Sequence, residues 1–374
     1  MLWHLFDIIQ QNDVKIQVTK TFLPPIEEYQ AYVAKIWENN WLTNNGPFVI
    51  ELEQKLAEFL KVPYVLFVSN GTIAIQLALK ALNITGEVIT TPFSYCATTT
   101  SLLWENCQPV FVDIHPEDLN IDASLIESKI TSQTQAILAT HVYGRPCQVE
   151  KIQEIGQKYG IPILYDGAHA FGSTVHGQQV LSFGDVATCS FHATKVFHTI
   201  EGGCIVVHDD ALYEKLKHYR SFGHKNDDYF TIGINGKNSE FHAVMGLTNL
   251  PHLPRIMAGR KAAIQRYEAG LDWSVFEQPH SRYTDFTYNQ AYFPLILPTE
   301  AMLLEAFDQL GKLDIVPRRY FYPSLNELPY LSFHQSCPVS EDISKRVLSL
   351  PLYADIPEEV VDQVVTCLNS IATT

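Results

Sequence analysis

The segment YVLFVSNGTIAIQLALKAL, residues 64–82, decides the fold class of this chain. It begins with an apolar run of strand length and ends in a stretch whose apolar side chains recur at helical spacing. Between them lies the turn SNGT, residues 69–72, which follows the strand and opens the helix. A buried strand that passes at once into a helix predicts the βα unit of an α/β protein.

The same rhythm continues to about residue 209. Short apolar runs predict further strands in residues 87–92, 109–114, 136–144, 161–169, 186–193 and 203–209. Segments with helical spacing lie between several of them, in residues 96–107, 122–130 and 148–160. This alternation predicts a large domain built on a mostly parallel, seven-stranded sheet that helices cover on both faces.

The pattern changes after about residue 250. Residues 250–271 predict a long helix after a proline-punctuated linker, and a last helix is predicted from about Pro357. The sequence between them mixes short strands with proline-rich turns, as in RRYFYPSLNELPY at residues 318–330. We therefore expect an N-terminal arm (residues 1–27), a large domain (residues 28–250) and a smaller α+β domain (residues 251–374).

Charge and composition exclude several classes of function. The net charge of -15 argues against a nucleic-acid partner, because phosphate backbones bind basic surfaces. No run of eighteen apolar residues is present, so we expect no membrane-spanning helix. The first residues lack the basic region and cleavage site of a signal peptide, and the 7 scattered cysteines form no CxxC pair. These features favour a cytoplasmic protein with free thiols and no metal site.

Polar residues at the carboxyl ends of parallel strands are the first candidates for chemistry, because ligands bind at that edge of such sheets. Gly71 and Thr72 follow the first strand, where the free N–H groups of a helix start favour a phosphate. Taken alone, this turn is more often an ordinary helix cap. Asp166 ends another strand, and a buried carboxylate requires a cationic partner such as a protonated ring nitrogen. The alternative is that Asp166 caps the following turn.

Two further segments add aromatic residues and a lysine. Phe93 and Tyr95 stand at a third strand end, where an aromatic side chain either covers a flat ring or belongs to the core. Ser190 and Lys195 flank a turn in CSFHATKVFHTIEGG, residues 189–203. Taken alone, this lysine is typical of a solvated surface turn. The two histidines of the segment, six positions apart, fit no zinc pattern and are expected to pack or hydrogen-bond locally.

Each feature alone has an ordinary structural explanation, but together they describe a pocket for pyridoxal 5'-phosphate. All of them fall at strand ends of one parallel sheet. The helix start suits the phosphate, Asp166 suits the pyridinium nitrogen, and an aromatic side chain suits the ring face. Lys195 suits the aldehyde, which it would hold as a Schiff base.

With these residues in hand, the chain resembles the DegT/DnrJ/EryC1/StrS family of sugar aminotransferases. The resemblance implies the aspartate-aminotransferase (fold type I) architecture. The motifs that carry it extend over nearly the whole chain and are long: VTKTFLPPIEEY (18–29), NNWLTNNGP (39–47), SNGTIAIQLALKAL (69–82), VITTPFSYCATTTS (88–101), ATHVYGRPC (139–147), SFHATKVFHTIEGG (190–203), GINGKNSEFHAVMGL (233–247) and RVLSLPLY (346–353).

The resemblance implies a role for each matching residue. The predicted catalytic residues are the Schiff-base lysine, the partner of the pyridine nitrogen and the residue at the ring hydroxyl, which match Lys195, Asp166 and His169. The cofactor site adds the ring-stacking Tyr95, with Phe93 in support, and the phosphate ligands Gly71, Thr72, Ser190 and, from a neighbouring subunit, Asn235. Such a site requires at least a homodimer. Many members have Tyr-Arg after that asparagine, whereas this chain has Gly236-Lys237.

Within the family, several segments are most similar to enzymes that aminate dTDP-4-keto-6-deoxyglucose. The resemblance implies glutamate as amino donor, dTDP-4-amino-4,6-dideoxyglucose as product and a place in deoxysugar biosynthesis for lipopolysaccharide O-antigen. The alternatives are a 3-keto dTDP-sugar, a UDP-keto sugar and, in a different class, a regulator that binds sugar or cofactor without turnover. Lys195 disfavours that regulator, and it disfavours a related dehydratase that carries histidine at this position. Candidate sugar contacts are Arg220, His224, Tyr320 and Tyr322.

Overall fold

Sixteen strands and twelve α-helices make up the part of the chain that the structure describes, residues 15–373 of a computed structural model. The first 14 residues, with the expectation that they hold no signal peptide, lie outside the described residues. The strands are β1 (Ile16–Gln17), β2 (Tyr64–Val68), β3 (Glu87–Thr90), β4 (Gln108–Phe111), β5 (Thr134–Thr140), β6 (Ile163–Asp166), β7 (Thr174–Val175), β8 (Gln178–Gln179), β9 (Val186–Ser190), β10 (Gly203–Val207), β11 (His224–Lys225), β12 (Asp228–Tyr229), β13 (Phe286–Thr287), β14 (Phe293–Ile296), β15 (Ile315–Val316) and β16 (Val347–Leu350).

The α-helices follow in part the rhythm predicted from the sequence, since four of the eight before residue 250 connect two strands of the main sheet. They are α1 (Ile26–Asn39), α2 (Pro47–Leu60), α3 (Gly71–Ala81), α4 (Cys96–Trp104), α5 (Ala123–Ile126), α6 (Val149–Tyr159), α7 (Asp210–Arg220), α8 (Glu240–Asn249), α9 (Leu253–Gly270), α10 (Glu300–Gly311), α11 (Pro338–Arg346) and α12 (Glu358–Ala372).

The central sheet has seven strands in the order β2-β10-β9-β6-β5-β3-β4. Strand β10 is antiparallel to both of its neighbours, and the remaining pairs are parallel. The prediction of a mostly parallel, seven-stranded sheet is therefore confirmed. Within β2, Val65 and Phe67 pack into one apolar cluster while Leu66 and Val68 pack into another, so both faces of the strand are covered. Burial of such side chains stabilises the fold by about 1.5–3 kcal/mol each.

The register of the strands brings their carboxyl ends to one edge of the sheet. Thr140 at the end of β5 pairs with Asp166 at the end of β6, and Asp166 pairs in turn with Thr188 of β9. Two residues further along β9, Ser190 pairs with Gly203, which begins β10. Side chains that leave these strand ends therefore start within neighbouring rungs of one ladder.

One predicted helix is shorter in the structure than in the sequence analysis. The helix expected over residues 122–130 is α-helical only at Ala123–Ile126 and continues as a single 3-10 turn, Glu127–Lys129. Only Ala123 and Ile126 of this segment are buried. The segment thus has too little apolar surface to stabilise a longer helix against the sheet.

The C-terminal part of the chain has an apolar cluster of its own. Strands β14 and β16 form an antiparallel pair, and Tyr267, Leu303 and Val364 pack in the same cluster with it. The N-terminal strand β1 joins this region as well, since Ile16 pairs in parallel with Ile315 of β15. The boundary near residue 250 stays a prediction, although helix α9 begins at Leu253, close to it.

No helix between residues 15 and 373 has both the length and the apolar character needed to cross a membrane. All seven cysteines are free; Cys96 and Cys367 are partly exposed, and the other five are buried. Over the same described span, no three histidine, cysteine or acidic side chains gather in a way that could hold a metal ion.

A buried ion pair fixes strand β2 to the end of helix α7. The Arg220 guanidinium pairs with the Glu53 carboxylate and also donates to the carbonyl oxygen of Phe67 at 2.7 Å. Glu53 accepts in turn from the Phe67 N–H at 2.8 Å. The two charged side chains are only 4% and 12% exposed, so each neutralises a charge that water cannot reach.

We predict that Arg220→Met lowers the free energy of unfolding by about 3–5 kcal/mol, because it leaves the buried Glu53 carboxylate without a counter-charge. Urea unfolding followed by circular dichroism measures the change. The control is Lys55→Met, which removes an exposed pair with Glu58 and should cost less than about 1 kcal/mol. Equal stability of the two variants would contradict the structural role of Arg220.

Candidate active site

A cavity of ≈ 310 Å³ opens at the carboxyl edge of the sheet. The residues predicted from the sequence that line it are Gly71, Thr72, Tyr95, Asp166, His169, Ser190 and Lys195. Asn235 does not line the cavity of its own chain. Residues separated by more than a hundred positions in the sequence thus meet around one space, because the strand ends that carry them are neighbours.

One wall of the cavity is the start of helix α3. Asn70 is the cap residue, and its side-chain oxygen accepts from the N–H of Ile73 at 2.8 Å. The N–H groups of Gly71 and Thr72 belong to the first turn, where no carbonyl of the helix can accept them. Ser190 lies against this turn, since a Cβ on Gly71 would stand 2.9 Å from the Ser190 Cβ. The wall therefore offers unpaired N–H groups, a hydroxyl and a positive helix end to an anion.

Asp166 forms the floor of the cavity and is 5% exposed. Its carboxylate accepts from Thr98 Oγ1 at 2.7 Å and from the Ala168 N–H at 3.0 Å. Burial raises the pKa of Asp166, while these two hydrogen bonds and the charge of Lys195 oppose the rise. Within residues 15–373 no basic side chain comes within 4.0 Å of this carboxylate. The site thus holds a buried acidic group that lacks a contacting cation.

A chain of buried hydroxyl groups shows that Asp166 acts as an acceptor. Thr140 Oγ1 donates to Ser94 Oγ at 3.2 Å, and Ser94 Oγ lies 2.8 Å from Thr98 Oγ1. Thr98 has one proton and donates it to Asp166, so Ser94 is the donor in the bond between them. All donors therefore point the same way, toward the carboxylate. The hydrogen bond from Thr98 favours the ionised form of Asp166, because a carboxylate accepts such a bond more strongly than a neutral carboxyl group does.

Lys195 reaches the cavity from the turn that follows β9. Its Nζ donates to the hydroxyl of Tyr292 at 3.3 Å. Burial lowers the pKa of Lys195, but Tyr292, Asp166 and Tyr320 together outweigh burial and leave the pKa raised. The amine is thus held in a tyrosine-lined environment next to the Asp166 carboxylate, rather than in solvent.

Aromatic side chains form the wall behind the lysine. The His169 ring stacks on Phe321, with centroids 5.4 Å apart and planes at 11°, and meets the edge of Tyr292 at 5.0 Å. Burial, with a contribution from the Lys195 charge, holds the pKa of His169 well below its usual range. The imidazole is therefore neutral at physiological pH and can act only through hydrogen bonding or packing.

Tyr95 and Phe93 differ in exposure. Tyr95 precedes helix α4, is 58% exposed and lines the cavity. Phe93 is fully buried and packs edge to face against Tyr143 and Phe321. An exposed aromatic ring beside the cavity is free to cover a ligand, whereas Phe93 supports the wall from behind.

Comparison with known proteins identifies the family. The family model for DegT/DnrJ/EryC1/StrS aminotransferases matches residues 25–369. The chain belongs to the DegT/DnrJ/EryC1/StrS aminotransferase family. A relative from Shigella dysenteriae, dTDP-4-amino-4,6-dideoxy-D-glucose transaminase, is 41% identical over 95% of this chain and 99% of its own length. The enzyme of the same name from Escherichia coli is 38% identical over 96% of this chain and 99% of its own.

A solved structure agrees with this assignment. DesI, crystallised in the presence of its TDP-sugar product, superposes with a TM-score of 0.91 at 30% identity. The match covers 96% of this chain and 94% of the DesI chain. The resemblance to the family and the expectation of an aminotransferase are thereby confirmed, as is the fold type I architecture of the sheet domain.

The remaining residues singled out in this aminotransferase lie elsewhere. Asn235 is exposed and forms an isolated bridge with Ser221. Of the candidate sugar contacts only Tyr320 lines the cavity. Arg220 is engaged by Glu53 and is not available to a substrate, while His224 lies on the β11–β12 hairpin and Tyr322 is 48% exposed outside the cavity.

The two histidines beside Lys195 are bonded within the protein. His192 Nδ1 lies 2.8 Å from Thr194 Oγ1, and its Nε2 lies 3.6 Å from the Glu201 carboxylate. His198 Nε2 lies 2.7 Å from the carbonyl oxygen of Phe22. His192 thus bonds locally, as expected from the sequence, and also lines the cavity. His198 instead bonds to a segment far away in the sequence.

Sequence reasoning missed the contribution of the C-terminal part of the aminotransferase chain. Tyr292, Arg318 and Phe321 line the cavity although they follow the sheet by about a hundred residues. None of them lies at the end of a strand of the main sheet, and no motif singles them out. The one signal in this region was the pair Tyr320 and Tyr322, named as candidate sugar contacts, and of these only Tyr320 lines the cavity.

We predict that Tyr292→Phe lowers the pKa of the Lys195 amine, because burial would no longer be opposed by the tyrosine hydroxyl. The measurement is the pH dependence of Lys195 labelling by trinitrobenzenesulfonate in cofactor-free protein, read by mass spectrometry. Tyr322→Phe, which removes a hydroxyl outside the cavity, is the control and should leave the profile unchanged. An unchanged profile in Tyr292→Phe would show that the contact does not tune the lysine.

Proposed function

We propose that this protein is a pyridoxal-phosphate-dependent sugar-nucleotide aminotransferase. In this proposal it transfers the amino group of glutamate to dTDP-4-keto-6-deoxyglucose and forms dTDP-4-amino-4,6-dideoxyglucose. Lys195, Asp166 and the start of helix α3 line one cavity, and this arrangement is the observation that supports the reaction type. The choice of sugar is supported by the names of the two relatives at 41% and 38% identity.

The residues around the cavity fit the cofactor. The Asp166 carboxylate is buried, accepts two hydrogen bonds and has no contacting cation in the described chain, as a partner of a protonated pyridine nitrogen requires. Gly71 and Ser190 form a cradle that a Cβ on Gly71 would fill, which suits a phosphate. Tyr95 and His169 line the same cavity, which supports their assignment to the cofactor site.

The reaction assigns a task to each of these side chains. Bound pyridoxal phosphate supplies an aldehyde that carries the amino group and a ring that accepts electrons. Lys195 would hold the aldehyde, and its amine, when free, would serve as general base and acid for the proton that moves during amino transfer. Asp166 would keep a bound ring nitrogen protonated, since a neighbouring negative charge favours the cationic form. Tyr292 would position the Lys195 amine through the 3.3 Å contact.

We infer that the active unit is a homodimer in which Asn235 completes the phosphate site of the neighbouring subunit. Its exposure and its absence from the cavity of its own chain support this role. The segment around it presents large apolar side chains to solvent, among them Phe230 at 62% and Ile232 at 81% exposure. Apolar surface of this kind marks an interaction site.

We also propose that the chain divides into an N-terminal arm (residues 1–27), a large domain (residues 28–250) and a smaller domain (residues 251–374).

The substrate is tested by incubating the purified protein with glutamate and a set of dTDP- and UDP-keto sugars. We expect amination at C4 of dTDP-4-keto-6-deoxyglucose, identified by NMR of the product. Lys195→Ala should show no turnover above background, whereas Lys151→Ala, which removes an exposed lysine outside the cavity, should retain it. Amination of a 3-keto or UDP sugar instead would overturn the substrate, and full activity of Lys195→Ala would overturn the mechanism.

We predict that Gly71→Ala weakens the binding of pyridoxal phosphate about tenfold or more. A change of this size corresponds to the loss of one hydrogen bond to a charged group. The new methyl group would meet the Ser190 Cβ at 2.9 Å and its Cα at 3.3 Å, and so displace the helix start from Ser190. Titration of cofactor-free protein by absorbance measures the affinity. Gly311→Ala, where a Cβ has no neighbour within 4 Å, is the matched control. Unchanged affinity in Gly71→Ala would contradict the phosphate site.

A further inference from the structure

Two consecutive arginines, Arg318 and Arg319, follow strand β15 and have different surroundings. The Arg319 guanidinium is bound within the protein: it donates to Glu300 at 2.7 Å and to the carbonyl oxygen of Lys345 at 3.1 Å. It also stacks over the Tyr322 ring at 3.6 Å. These contacts account for Arg319 as a structural residue.

The Arg318 side chain lines the active-site cavity and has no such partners among the described residues. It is exposed, and no carboxylate of the described chain lies within 4.0 Å of its guanidinium. The guanidinium lies near the Tyr320 ring, whose centroid is 5.5 Å away. A guanidinium that faces a binding cavity with its donors unused is suited to a carboxylate or a phosphate.

The backbone of Arg318 is held firmly, so the guanidinium starts from a defined position. The Arg318 N–H donates to the carbonyl oxygen of Ser349 at 3.1 Å, and the Ser349 N–H donates back to the carbonyl oxygen of Arg318 at 2.8 Å. Ser349 belongs to strand β16 and is fully buried. A side chain mounted on such a bridge is pre-positioned, which reduces the entropy lost when it binds a ligand.

The two acidic side chains that line the cavity, Asp166 and Glu201, do not pair with the Arg318 guanidinium. Asp166 accepts two hydrogen bonds at the floor, and Glu201 faces His192 at 3.6 Å. Two tyrosines connect Lys195 to Arg318: Lys195 donates to Tyr292 at 3.3 Å, and the Tyr292 ring lies 5.9 Å from the Tyr320 ring. The Arg318 guanidinium lies 5.5 Å from the centroid of the same Tyr320 ring, so it faces the part of the cavity that holds Lys195.

We propose that Arg318 binds a carboxylate of the dicarboxylic amino donor and thereby sets the preference for glutamate. The inference rests on the proposed function for the identity of the donor. A carboxylate and a diphosphate share the oxyanion chemistry that a guanidinium recognises. The position beside Lys195 favours the donor, because its α-carboxylate is one carbon from the reacting amine. In a 4-keto sugar nucleotide, the pyranose ring separates the phosphates from the reacting carbon.

The experiment measures two ligands on the cofactor-loaded protein by isothermal calorimetry. Glutarate is a dicarboxylate without an amine and reports donor recognition without reaction, whereas dTDP reports the nucleotide subsite. We expect Arg318→Gln to weaken glutarate about tenfold to a hundredfold, as for a lost charge-assisted hydrogen bond, and to leave dTDP within about threefold. Arg318→Lys should restore part of the glutarate affinity, because it restores the charge without the planar fork.

The matched control is Arg319→Gln, which should lower the melting temperature but leave both affinities unchanged. Weakening of dTDP alone, or of both ligands equally, would overturn the assignment to the amino donor. Unchanged glutarate binding in Arg318→Gln would overturn it as well. A single-turnover reaction with L-glutamate, followed by cofactor absorbance, tests the role of Arg318 independently of which sugar is the substrate. That half of the reaction proceeds and depends on Arg318 even where no keto sugar tested is aminated.

Discussion

The buried carboxylate of Asp166 is the constraint on which the rest of the site depends. A carboxylate that is 5% exposed is costly to ionise unless hydrogen bonds and a cation stabilise it. The protein provides the hydrogen bonds through Thr98 and the Ala168 N–H. Hydroxyl groups of Thr140 and Ser94 orient the Thr98 hydroxyl. The protein provides no contacting cation within the described residues. The group is thus prepared for a positively charged ligand atom, and the neighbouring strands determine where that atom must lie.

The sheet and its strand-end residues could be predicted from the sequence for a physical reason. Buried parallel strands give continuous apolar runs, and the residues that end them must gather at one edge whatever the details of packing. The alternation of strands and helices therefore predicted that Gly71, Asp166 and Lys195 lie at one edge of the sheet, whereas their individual roles came from the resemblance. Asn235 could be assigned only through resemblance, because its place is not fixed by the strand order of its own chain.

The residues that could not be predicted come from the segment between β14 and β16. Tyr292 and Arg318 reach the cavity because β14 pairs with β16 and because Arg318 bridges to Ser349. These pairings join positions far apart in sequence, and neither periodicity nor composition specifies them. Neighbouring residues also diverge, since Arg318 faces the cavity while Arg319 binds Glu300. In short irregular segments, one step along the chain changes the surroundings of a side chain completely.

The pairing of β1 with β15 has a consequence for how the protein folds. Ile16 is a neighbour of Ile315, and the Val18 carbonyl accepts from the N–H of Leu352 at 2.9 Å. Each of these contacts closes a long loop, and the entropy of closing that loop opposes the contact until the segments between have become compact. Contacts between positions so far apart in sequence also raise the contact order, which slows folding relative to a chain whose contacts are local.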